Sequence, residues 1–207
     1  MITNYDTWCF LQKSFIKTNL VYDESFFHLN IYQMFFFFSL IPNFLSSLSM
    51  AMDNLEIDIK KKNFFSIVFF VKYHLHTQMN QFIDLVTQDF LIVKYRFSLL
   101  NSFVSTKFNN RIKVQLFTDE IQPISSILKI YPAAEWAERE TWDMFGIFFY
   151  NSSDLRRILT DYGFQGYPLR KDFPLSGYYE IFYSELDRQI AKSFVSLAQE
   201  FRVFNTN

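Results

Sequence analysis

Glycine is confined to one part of this chain. Of 207 residues only four are glycine, Gly146, Gly163, Gly166 and Gly177, and they sit in the strings ERETWDMFG, DLRRILTDYGF and GYPLRKDFPLSGYYE. Glycine supplies left-handed backbone and room for close chain approach. The tightly turned backbone therefore belongs to this stretch, and the remainder must be built from regular elements.

Half of the residues are hydrophobic, so a packed core is within reach, and the length suits one domain with an extension. With 20 basic and 21 acidic residues there is no global field to draw in nucleic acid or an anionic membrane. Cys9 is the only cysteine, which excludes an internal disulfide and any zinc or iron-sulfur site built from several thiolates of this chain. His74 and His76 stand two apart at the end of an expected helix, where they face different ways, so they read as a surface pair and not as metal ligands.

Residues 25–52 contain no Asp, Glu, Lys or Arg. Asn30, Gln33, Pro42, Asn43 and several serines interrupt them, and the longest unbroken apolar run is Met34 to Phe38. A membrane span needs ~20 predominantly apolar residues, so no transmembrane span is expected. The reading is a buried amphipathic helix over 29–40, ended by Pro42. The first 24 residues lack both a basic secretory start and an Arg-rich transit pattern, so no cleaved leader is expected.

From residue 55 the periodicities become plain. Leu55, Ile57 and Ile59 alternate with Glu56, Asp58 and Lys60, which marks a half-buried strand. Asn63 then caps a helix in which Phe64, Ile67, Val68, Val71 and Leu75 form one apolar face. Strands follow over 82–86, over 91–99, and over 112–116 after the Asn109-Asn110 turn. The order βαβββ implies an α+β fold, a mixed sheet with helices packed on it.

Two more helices are expected beyond the sheet, one starting at Pro123 with Ile124, Ile127 and Leu128 on a face, and one after Pro132. In the second, Glu135 with Arg139 and Arg139 with Asp143 are four apart and suited to bridging, while Gly146 is placed to cap the end. Glu138 and Glu140 lie on opposite sides of that helix, which excludes a shared catalytic carboxylate pair. A short helix over 154–160 is expected after Ser152 or Ser153, with Arg156 and Arg157 pointing different ways. The following 162–177 are too broken by Gly and Pro for a regular element, yet exposing Tyr162, Phe164, Tyr167, Leu169, Phe173 and Leu175 costs about 1.5 to 3 kcal/mol each. They should lie extended against the domain or another subunit.

Two other classes are weighed. A nucleic-acid-binding sheet domain is the alternative, opposed by neutral charge and by Tyr95 and Phe97 sharing the core-facing side of their strand. A free enzyme holding a metal on Asp154, Asp161 and Asp172 is opposed by the neighbouring arginines, which pair with them instead.

ERETWDMFG followed by SDLRRILTDYGFQGYPLRKDFPLSGYYE closely resembles the 30-kilodalton subunit family of respiratory complex I, NADH:ubiquinone oxidoreductase. The likeness is firm over 133–183, returns at LAQEFRVF, and is looser over 55–131. Ser152-Ser153 stand where the family usually has His-Pro, and Tyr167 where it has His. The resemblance implies a non-catalytic core subunit of the peripheral, hydrophilic arm that supports the quinone module during electron transfer from NADH to ubiquinone. It implies a place on the matrix side of the mitochondrial inner membrane, beside the 49-kilodalton quinone-site subunit and neighbouring iron-sulfur subunits. It implies no catalytic residue and no cofactor in this chain, with iron-sulfur clusters, FMN and ubiquinone held by neighbours. The expected organisation is an N-terminal extension over 1–30, the α+β domain over 31–146 and an extended C-terminal segment over 147–207. The family motif covers Glu138, Arg139, Glu140, Asp143, Gly163, Gly166, Pro168 and Pro174. The residues expected to face partners are Arg156, Arg157, Asp161, Arg170, Lys171 and Asp172, with Tyr162, Phe164 and Phe173 as buried anchors.

Overall fold

The computed structural model describes residues 24–51, 54–91, 95–197, 199 and 201–204. Residues 1–23 of the expected extension, with Cys9, lie outside them. Five strands form one mixed sheet: β1 (Leu45–Ala51), β2 (Asn54–Ile59), β3 (Gln81–Asp89), β4 (Phe97–Ser105) and β5 (Asn110–Thr118), in spatial order β1-β2-β5-β4-β3. The central β2 and β5 run parallel and the other pairs antiparallel. This is the expected α+β architecture, with β1 as an added edge strand. β1 went unread because its serines carry a polar signal and Leu45, Leu48 and Met50 are only half-buried.

Register explains why one face is dry. Leu55, Ile57 and Ile59 oppose Ile112, Val114 and Leu116, and Phe103, Asn101 and Leu99 oppose those same β5 residues from the other side. All of these except Asn101 are apolar, and all are buried. A period of two thus gathers these aliphatic residues of three strands on one surface, while Leu100 and Val104 of β4 fall on the other face and are only half-buried. The opposite face carries Glu56 bridged to Lys113 at 3.0 Å and Gln115 donating to Ser98 at 2.7 Å.

Three helices cover the dry face. α1 (Glu24–Leu40) seats Met34 and Phe37 in the core, α2 (Phe64–Tyr73) seats Phe64, Ile67, Val68 and Val71, and α3 (Ala134–Phe145) packs along β3. α1 starts before its expected position and gives way to a 3-10 turn at Pro42–Phe44. α2 follows Asn63 as expected, although the Asn63 side chain makes no capping hydrogen bond. Because α2 stops at Tyr73, His74 and His76 lie in a turn with ring centroids 5.6 Å apart, both against Phe36. No group of three or more metal-ligating side chains occurs among the described residues. None of their helices is long and apolar enough to cross a membrane.

Three local expectations are corrected. The strand expected over 91–99 begins at Phe97 and runs on to Ser105, because pairing with β3 and β5 sets the register; Val93 and Lys94 lie outside the described residues. The helix expected from Pro123 is instead a two-residue strand, β6 (Ile124–Ser125), paired with β7 (Phe149–Tyr150), followed by turns at Ile127–Tyr131. The helix expected over 154–160 does not form, because the N–H groups of 158–160 are taken by a side chain of α3. Beyond 177 the chain makes a hairpin, β8 (Tyr179–Ser184) and β9 (Gln189–Phe194).

Phe103 is fully buried, with its ring against Phe82 and Tyr131. Phe103→Ala is expected to lower unfolding free energy by about 3 to 5 kcal/mol in urea titration, the cost of a large void in this core.

Candidate interaction arm and its anchoring site

After α3 the described residues from 147 to 197 run on as an arm, and the motif residues are where arm and domain meet. α3 ends at Gly146, whose φ of +78° lets its N–H close on the Trp142 carbonyl. The lack of a Cβ is required twice over. One built there would stand 2.6 Å from the Tyr167 ring and 2.7 Å from Arg170. Gly166 repeats the device at φ +102°, with the Phe173 ring 2.7 Å from where its Cβ would be.

Two acids of α3 each hold a loop. Glu138 is buried and accepts from the Ser126 hydroxyl at 2.6 Å and the Ile127 N–H at 2.8 Å, fixing the turn after β6. Burial pushes its carboxyl above the usual value, which those two hydrogen bonds only partly offset. Asp143 is fully buried. Its Oδ2 accepts from the N–H groups of Ile158, Leu159 and Thr160 at 3.2, 2.7 and 3.0 Å, and its Oδ1 accepts from the Thr160 hydroxyl at 2.7 Å. Burial raises its pKa, but the Thr160 hydroxyl and three backbone donors together outweigh that and hold it below the usual value. Arg157 completes the set, 3.5 Å from Asp143 and donating to the Gly166 carbonyl at 3.0 Å.

A second anchor lies at the end of β3. Asp89 is almost wholly buried and receives Arg96 in a two-pronged pair at 2.8 and 2.9 Å, plus the Lys171 N–H at 2.9 Å. Hydrogen bonding from Arg96 leads the effects that keep its carboxyl below the usual range, against the upward push of burial. Arg96 also meets Asp172 at 2.9 Å and pairs with Glu120. Arg170 donates to the Phe145 carbonyl at 2.6 Å, reaches Glu120 at 3.1 Å and stacks on Tyr167 and Phe97, 4.5 and 5.4 Å from their centroids. Such partly shielded, multiply bonded pairs are stronger than solvent-exposed ones.

The predicted motif residues therefore divide. Arg157, Arg170 and Asp172 pair within the chain, and Pro168 and Phe173 are half-buried beside them. Arg156 is exposed and pairs with Asp154 at 3.0 Å, while Glu140, Asp161, Gly163, Lys171 and Pro174 are exposed. Tyr162 is wholly exposed, whereas Phe164 and Phe173 are half-buried with centroids 5.9 Å apart. The expected pairs of Arg139 with Glu135 and Asp143 are absent. Asp143 is engaged by the arm, and Arg139 is buried over Trp136 with its Nε donating to the Arg156 carbonyl at 3.2 Å. Asp89, Arg96 and Glu120 escaped the sequence reading. Their one signal was an acid at the end of an apolar strand.

Fold and site together define a sheet domain whose C-terminal arm is pinned by buried carboxylates. The family model described as respiratory-chain NADH dehydrogenase, 30 Kd subunit, matches residues 57–179. Curated relatives include NADH dehydrogenase [ubiquinone] iron-sulfur protein 3 of Oryza sativa subsp. japonica, 47% identical over 141 residues, 68% of this chain and 74% of that one. The Arabidopsis thaliana protein of the same name is 45% identical, covering 72% and 79%. NADH-ubiquinone oxidoreductase subunit 9 of Reclinomonas americana is 39% identical, covering 80% and 81%. Among solved structures, a chain of the archaeal membrane-bound sulfane sulfur reductase superposes with a TM-score of 0.61 at 19% identity, over 70% of this chain and 85% of that one, a likeness of fold alone. The chain belongs to the 30-kilodalton subunit family of the respiratory-chain NADH dehydrogenase, and is a mitochondrial complex I subunit.

Gly146→Ala is expected to cost about 1 to 3 kcal/mol in chemical denaturation, from strained backbone and displaced Tyr167. Asp143→Asn, which turns an amide toward backbone donors, is expected to cost about 3 kcal/mol, and Glu138→Gln less than about 1. Asp89 and Asp143 have depressed folded values, so their contribution is present above the unfolded value of about 3.9 and lost as pH falls through the folded values. Urea midpoints measured from pH 7 down to 3 should fall in the acid limb, less steeply in Asp143→Asn.

Proposed function

We propose that this subunit is a non-catalytic support of the peripheral arm, on the matrix side of the inner membrane, and that residues 147–207 bind neighbouring quinone-module subunits. The carrying observation is the apolar surface of the arm's far end. Ile181, Phe182, Tyr183, Leu186, Ile190, Phe194, Leu197, Phe201, Val203 and Phe204 are all exposed in a hairpin and tail that bond back to the arm itself, Val195 to Tyr178 and Lys192 to Gly163. A lone two-stranded hairpin is marginally stable in water, and a contiguous apolar patch marks an interaction surface. Other complex I subunits are the partners that family membership supplies; the 49-kilodalton quinone-site subunit and the neighbouring iron-sulfur subunits are the ones we infer.

The plant relatives carry iron-sulfur in their names. A cluster takes about four thiolates, and this chain offers Cys9 alone, so its residues do not fit one. We assign clusters, FMN and ubiquinone to neighbouring chains. This chain's role is then geometric: the arm is locked to the domain by Asp143 and Asp89, which makes the domain a fixed base from which the apolar end can hold other subunits in place.

Native electrophoresis of solubilised mitochondrial membranes is expected to recover the chain in a particle that oxidises NADH. After mild chaotropic splitting it should stay with the fragment that reduces artificial acceptors. Recovery only as a free protein, or with the membrane fragment, overturns the reading. Ile190→Glu should reduce incorporation several-fold while moving the isolated chain's stability by no more than about 0.5 kcal/mol, as an exposed substitution does.

A further inference from the structure

A cleft opens where the arm's turn meets the start of its hairpin. Its walls are the rings of Phe164, Phe173, Tyr178 and Tyr179, and its rim carries Asp161 and Glu180. Phe173 is the floor: its ring lies 5.9 Å from Phe164 and 5.5 Å from Tyr178 at a near-perpendicular angle, and the missing Cβ of Gly166 lets it sit there. The cleft holds about 180 Å³, below the roughly 300 to 1,000 Å³ of small-molecule sites and suited to a single side chain.

Its charge is unbalanced. Of the cations nearby, Lys192 donates to the Gly163 carbonyl at 3.2 Å at one edge, leaving two rim carboxylates against one ammonium. Arg157 lies 5.9 Å from the Phe164 centroid, but it is held by Asp143 and the Gly166 carbonyl. Aromatic faces carry negative quadrupoles and attract cations, and a planar guanidinium stacks on them while its N–H groups reach carboxylates at the edge. Buried arginine anchors are frequent centres of protein interfaces.

We propose that this cleft receives an arginine side chain of a neighbouring subunit, stacked on one of the two perpendicular rings of Phe173 and Tyr178 with its edge to the other, and paired with Asp161 and Glu180. The inference rests on the reading of the arm as a docking segment, and it adds the chemistry that this part of the arm recognises. Lys192, tethered to Gly163, stands 6.0 Å from the Tyr179 centroid, which leaves Phe173 and Tyr178 as the rings open to the guanidinium.

The test uses the assembled particle. A photo-crosslinking residue is placed at Gln165, on the rim, and separately at Tyr162, which is fully exposed outside the cleft. The crosslinked peptides are identified by mass spectrometry. The Gln165 probe should join to a partner peptide containing arginine. Asp161→Asn combined with Glu180→Gln should lower that crosslink about tenfold, the loss of roughly one charge-assisted bond, while the Tyr162 crosslink is retained. A Gln165 crosslink that is absent, that is unchanged in the double variant, or that leads to a peptide without arginine overturns the proposal. Loss of partner crosslinks at both positions overturns the docking reading as well, whereas loss at Gln165 alone leaves that reading standing.

Discussion

Two carboxylates buried on the domain, Asp143 satisfied by the arm and Asp89 shared between Arg96 of the domain and the arm, hold this structure in one piece. Asp143 is closed off from water and would be intolerable there unpaired, since a buried charge without partners costs several kcal/mol. Three backbone donors of 158–160, one hydroxyl and one guanidinium answer it. Asp89 imposes the same demand at the other end of the contact, met by Arg96 and the Lys171 N–H. The need to satisfy those two charges orders a segment that has no helix and no sheet partner of its own between 151 and 178. Gly146 and Gly166 allow the rings of Tyr167 and Phe173 to close over the contact.

β2, β5 and α2 were legible from the sequence because one face of each is buried. Leu55, Ile57, Ile59 and their partners in β5 alternate because the sheet has one dry face, and α2 repeats at helical spacing for the same reason, whereas α3 was placed by Pro132 and its buried side carries Glu138, Arg139 and Asp143. What was misread depended on partners distant in sequence. Ile124, Ile127 and Leu128 keep a helical spacing, but the Ile124 and Ser126 N–H groups bond to residues 148–150, and Glu138 takes that of Ile127. Arg156 and Arg157 do point different ways, one exposed and one inward, although no helix separates them. The ladder of pairs along α3 failed because counting four residues ahead ignores competition: the arm offers Asp143 more donors than Arg139 does.

The identity was legible as well, in the order of the rare strings around the four glycines, and the family model and relatives bear it out. The geometry adds a division of labour inside that motif. Arg157 and Arg170 face inward and fasten the arm, the exposed Asp172 fastens it from the surface through Arg96, and the side chains of Arg156, Lys171 and Tyr162 stand outward. Motif membership alone does not separate fastening residues from contacting ones; burial and pairing do.

The fastening contacts also dictate an order of events as the chain folds. Asp89 meets a backbone group 82 residues further on, and Arg96 meets an acid 76 residues away. Contacts that close such long loops form after local ones, and segments held by few of them open first. The sheet and α3 can be complete while the arm is still loose, leaving the apolar hairpin on a freely moving tether. By the same ordering a newly made chain holds a finished domain trailing an apolar tail, and the seating of 157–172 marks the moment at which that tail acquires a direction.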